Sequence, residues 1–157
     1  MLKAPRAKAP RAKANRAGLL WPAALVALIG CGSDSSGPNP DDYKGLWTLA
    51  VQDAGGCWTS FVLMLEIADV AEQGGGRVGL DGAFWFGSDP TRKSGLGGGI
   101  DSSRSFDLHF VSFVLGGDGA TFVGSDASPS KLEGTFTDVS GEVSGTPGCA
   151  AHAVATK

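Results

Sequence analysis

The side chains best suited to chemistry in this 157-residue chain are three cysteines and two histidines. Cys149-Ala150-Ala151-His152 has the gap of a metal-ligand pair, and Cys57 and His109 could complete a tetrahedral zinc set. No second closely spaced pair backs that reading, and no metal or other cofactor is expected. The competing expectation is that Cys57 and Cys149 bond to each other: one precedes a predicted strand and the other opens the last one. Asp107 and His109 stand two residues apart on a predicted strand, so they share a face where a carboxylate can orient an imidazole. The chain has no Gly-x-Ser-x-Gly turn to supply a nucleophile, and a solvated pair without enzymatic activity is expected. Glycine runs at 74–76 and 97–99 precede strands, not helices, and so lack the positive helix terminus that holds phosphate. Gly116-Gly117-Asp118-Gly119 occurs once, whereas calcium-binding repeats of that kind work only when stacked.

These residues sit in a segment built of short alternating runs separated by Gly, Asp and Ser. The runs are Leu46–Gln52, Trp58–Ala68, Arg77–Phe84, Trp85–Gly87, Gly95–Ile100, Phe106–Leu115, Thr121–Gly124, Lys131–Asp138 and Ala150–Thr156. Closely spaced turns between them predict an all-β, antiparallel, up-and-down barrel of about eight strands over residues 43–157. Phe61, Leu63, Leu65 and Ile67 alternate on one face of the second run, and Trp58, Val62 and Met64 on the other. Both faces are partly apolar, so both need cover. Trp85 points opposite to Phe84 and Phe86 in an extended segment. Trp58, Val62, Met64 and Trp85 are the candidate lining of a site for a small apolar molecule or a protein anchor.

The first thirty residues read differently. Six cations and no acid precede an apolar run from Leu19 to Ile29, and small Gly30 follows. These are the parts of a secretory signal, and about eleven apolar residues are too few to span ~30 Å of hydrocarbon. Leu28-Ile29-Gly30-Cys31 resembles the lipobox of bacterial lipoproteins. The resemblance implies cleavage after residue 30, acylation of Cys31, and a lipid anchor in the cell envelope. Gly32, where inner-membrane members carry Asp, points by the same resemblance to the outer membrane. Several acyl chains at ~0.8 kcal/mol per buried methylene hold a protein permanently, where one chain would be marginal. In the oxidising space beyond the cytoplasm, a Cys57–Cys149 disulfide is the expected state of the remaining pair. The doubled Ala-Pro-Arg-Ala-Lys at residues 4–13 lengthens the basic region, and a start codon placed too early accounts for it. Residues 31–42 follow as acylated cysteine and flexible linker. The chain from Cys31 onward has seven basic and sixteen acidic residues, a net charge of −9, which argues against nucleic acid as a partner.

Gly45-Leu46-Trp47 resembles the Gly-x-Trp opening of calycins, the lipocalin and avidin-like barrels. That resemblance implies that Trp47 plugs one barrel end and that a basic residue near the last strand, here Lys157, lies across it. The function it implies is binding, of a small apolar ligand or of an envelope protein. Lipidated protease inhibitors of the bacterial envelope, small barrels with one disulfide, resemble this chain in outline and supply the alternative.

Overall fold

The computed structural model describes residues 37–114 and 116–157. The signal segment, Leu28-Ile29-Gly30-Cys31 and the start of the linker lie outside the described residues. Eight strands close into one antiparallel barrel in chain order: β1 Gly45–Val51, β2 Phe61–Gln73, β3 Arg77–Phe86, β4 Ser94–Ile100, β5 Phe106–Val111, β6 Asp118–Ser128, β7 Lys131–Asp138 and β8 Cys149–Thr156. The seam is β1 against β8, with Leu49 opposite Ala155 and Val51 opposite Ala153. Closure leaves no unpaired sheet edge, which is how an all-β chain avoids templating its neighbours. The architecture is compatible with a calycin-like fold.

Alternation decides what fills the barrel. Trp47, Leu49 and Val51 of β1 face inward and are buried, while Leu46, Thr48 and Ala50 face solvent. On β2 the inward set is Leu63, Leu65 and Ile67, as their period of two requires. Phe106, Leu108 and Phe110 of β5, Phe122 of β6 and Phe136 of β7 complete a packed interior. Each ring sits edge-on to a neighbour, as with Phe106–Phe122 at 4.8 Å and Phe110–Phe136 at 5.5 Å. Such pairs add about 0.5–1.5 kcal/mol each beyond the area they bury.

The two barrel ends differ. At the end where the chain enters, Asn39 caps a 3-10 turn over Pro40–Tyr43, accepting from the Asp41 N–H at 3.3 Å. Its first three residues lie in the stretch assigned from sequence to linker, where a cap and a proline with preset φ order the chain. Trp47 is fully buried just inside, and its indole N–H donates to the Tyr43 carbonyl at 2.9 Å. Lys157 does lie across Trp47: its Nζ is 5.7 Å from the ring centroid and donates to the Asp42 carbonyl at 2.9 Å. Gly45 has φ +122°, a conformation that favours glycine, and a Cβ there would sit 3.2 Å from Lys157 Cε and make the lysine tip give slightly. Burial raises the Tyr43 phenol above its ordinary value, against the opposing field of Arg104.

The strand boundaries correct the sequence reading in four places. Arg77–Phe84 and Trp85–Gly87 are one strand, because Trp85 pairs with Met64 and keeps the ladder unbroken. The second strand starts at Phe61, not Trp58, and runs on to Gln73 past a bulge between Ile67 and Asp69. That bulge breaks the alternation and leaves most of Asp69–Gln73 exposed, while Val78 and Leu80 on the facing strand stay in the core. The fifth strand stops at Val111, four residues short of Leu115, where the Ser112 N–H donates to the Gly117 carbonyl at 2.8 Å and turns the chain. Thr121–Gly124 extends to Asp118–Ser128, its polar ends paired with β5 and β7.

Candidate functional site

The end opposite Trp47 is open. Strands β3, β5 and β7 finish there, and each contributes an interior phenylalanine close to the rim: Phe84, Phe110 and Phe136. Phe84 meets Phe110 edge-on at 5.0 Å. Above them, Phe113 folds back from the β5–β6 loop onto Phe84 at 5.1 Å and Phe86 at 6.1 Å. The rings enclose a cup of about 240 Å³ that also touches Leu63, Ala120 and Val143. Its size is at the small end for a ligand pocket, enough for one short apolar group.

Two loops shape the rim, and carboxylates hold both. Asp138, fully buried at the end of β7, accepts from the Gly141 N–H at 2.9 Å, the Val143 N–H at 3.0 Å and the Ser144 N–H and hydroxyl, each at 2.7 Å. A buried anion is tolerable only with such a set of donors, and the donors here wind residues 139–148 into one shape. Glu142, on that loop, reaches across to the β5–β6 loop. It accepts from the Phe113 and Val114 N–H groups, each at 3.2 Å, and from the Ser112 hydroxyl. Among the described residues, Glu142 is the one charged side chain lining the cup. It carried no signal in the sequence, being one acid in a Gly/Ser-rich loop 28 residues from its partner Val114.

The disulfide stands on the same rim. Cys57 and Cys149 are bonded with Cα atoms 6.1 Å apart, tying the β1–β2 loop to the start of β8. Beside it Trp58 packs edge-on against Phe61 at 5.7 Å and Phe136 at 6.0 Å, and donates its indole N–H to the Gln52 carbonyl.

Of the four residues singled out from sequence, Met64 and Trp85 are cross-strand partners with Val62 on the same face, while Trp58 stands apart at the rim. Trp58 backs the cup wall through Phe136. Val62, Met64 and Trp85 sit on the outer surface, since the positions alternating with them, Leu63, Leu65 and Phe84, face inward. Trp85 is nearly buried there all the same, with Lys93 Nζ 4.6 Å from its ring centroid. Phe113 turns over the mouth because the strand has ended before it.

The remaining chemical candidates are on outer walls. His109 Nδ1 is 3.1 Å from Asp118 and its Nε2 is 3.3 Å from Asp107, which also pairs with Arg77. His152 contacts Glu133 at 3.0 Å, and Lys131 first and His152 second hold that carboxyl below its ordinary range. Cys57 and Cys149 spend their sulfurs on each other, and no cluster of three or more metal-binding side chains occurs among the described residues. What the arrangement offers is an aromatic cup at the mouth of a closed barrel, with one carboxylate in its lining. No protein-family model matches this chain, and no curated protein or solved structure shows significant similarity to it.

Proposed function

We propose that this chain is an acylated envelope lipoprotein whose calycin-like barrel binds a small apolar ligand in the cup at its mouth. The observation that carries the reading is the contrast between the two ends: Trp47 and Lys157 seal one, and the other opens into phenylalanine. The Gly45-Leu46-Trp47 opening with Lys157 across the ring is the arrangement expected of calycins, and supports that placement. The described chain begins at the sealed end, where Gly37 lies beside Gly76. Rim residues Phe86 and Val114 are 43% and 79% exposed, which also suits an apolar side chain of an envelope protein, a protease included.

Binding is tested on the full 157-residue chain, unacylated and oxidised to its disulfide, titrated with hexan-1-ol and followed by NMR. Saturable shifts of the Val114 and Val143 methyls are expected, with an affinity of millimolar or weaker, since the burial of one short alkyl chain is largely offset by the cost of association. Shifts that stay linear, or that centre on outer-wall Val62, would remove the cup as a site. The anchor is tested in a bacterial host: Cys31→Ser is expected to abolish acyl labelling and leave an uncleaved precursor. Normal processing and membrane retention of that variant would end the lipoprotein reading.

A further inference from the structure

The cup's lining restricts the ligand's charge as well as its size. We infer that the site selects organic cations, such as a small alkyl- or arylammonium, over neutral and anionic molecules of the same shape. The inference rests on the cup being a binding site at all, as proposed above. Five phenylalanines, Phe84, Phe86, Phe110, Phe113 and Phe136, line the cup, and the face of such a ring attracts a cation. Glu142 adds a formal negative charge to the same lining. Three donors reach that carboxylate, two on Oε1 and one on Oε2, where about four can be accepted, so Oε2 can take one more from an ammonium.

No basic side chain lines the cup among the described residues. Arg92 lies in the adjoining hollow outside Phe86 and Phe113, but Asp89 shares that hollow and offsets it. The field of the whole domain acts in the same sense, since the chain from Cys31 onward carries −9. A fatty acid is therefore the wrong ligand for this site: its head would meet the Glu142 carboxylate.

The experiment is a titration of the same oxidised full-length chain with hexylammonium, hexan-1-ol and hexanoate at pH 7 and low salt. The three share a tail and differ in head charge. Hexylammonium is expected to bind about fivefold tighter than the alcohol and hexanoate about fivefold weaker, the scale of an exposed ion pair. The spread should narrow at 1 M salt, where the Debye length is about 3 Å. In Glu142→Gln the ratio of ammonium to carboxylate affinity should fall severalfold. Should that variant lose its loop structure, the salt series on the unaltered chain still decides the matter. Equal affinities, or hexanoate binding tightest, overturn the charge selection and leave the cup standing. Failure of the neutral alcohol to bind overturns the site itself.

Discussion

Replacing Cys57 and Cys149 together by serine is expected to lower the unfolding free energy by about 4–5 kcal/mol on the chain-entropy model. The bond closes a loop of 92 residues, nearly the whole barrel, so its loss restores freedom to almost the entire unfolded chain. Domains of this size are stable by only about 5–15 kcal/mol, so the change would consume about a quarter or more of what is available. Urea titration of the oxidised chain and the double-serine variant gives the comparison, with a steeper slope expected for the variant because its uncrosslinked unfolded chain exposes more surface. A difference below about 1 kcal/mol would mean that the pair adds nothing to a barrel already closed by the β1–β8 seam. The local consequence is also specific. The β1–β2 loop carries Trp58 against Phe136, so the variant's cup wall should loosen before the sealed end does.

The second large effect is expected at the sealed end, where Trp47→Ala should cost about 3–5 kcal/mol, the range for truncating a fully buried aromatic. Trp47 is 0% exposed, and three partners converge on it: the Tyr43 carbonyl, Lys157 above its ring, and Gly45 whose missing Cβ admits that lysine. Trp47→Phe keeps most of the hydrophobic volume and drops the indole N–H. It should cost about 1–2 kcal/mol, mainly through the Tyr43 carbonyl left without its donor. Thermal unfolding of the two variants would order them alanine below phenylalanine below native. If phenylalanine matched alanine, the hydrogen bond and not the packing would be what holds this end.

These two sites bracket the barrel, and the sequence marked both. A pair of cysteines near the two ends of one domain, and a glycine two residues before a tryptophan at the head of a strand, are local signals. They remain readable because each depends on residue type more than on distant geometry. The barrel itself was legible for the same reason. Inward and outward positions alternate with period two, and in Trp47, Leu49, Val51 and in Leu63, Leu65, Ile67 the apolar choice follows that period. Strand ends were less so. A bulge at Ile67/Asp69 shifts the register, and the run Phe84-Trp85-Phe86 has no polar residue to mark which side is outside.

Tertiary structure alone decided the site. Val62, Met64 and Trp85 looked as suitable for a pocket as Phe84 and Phe110, because composition does not say which face of a two-sided apolar strand turns inward. Closure of the sheet through β1 and β8 settled that, placing every second residue inside and sending the others to the outer wall. Glu142 is the extreme case. Its role exists only because Asp138 folds its loop, and that loop meets the backbone of Phe113 and Val114 across the mouth. Period, propensity and cysteine pairing are properties of neighbours along the chain, so one sequence records them. A cup made by three strand ends and two loops depends on distances through space, which become defined only when the barrel closes.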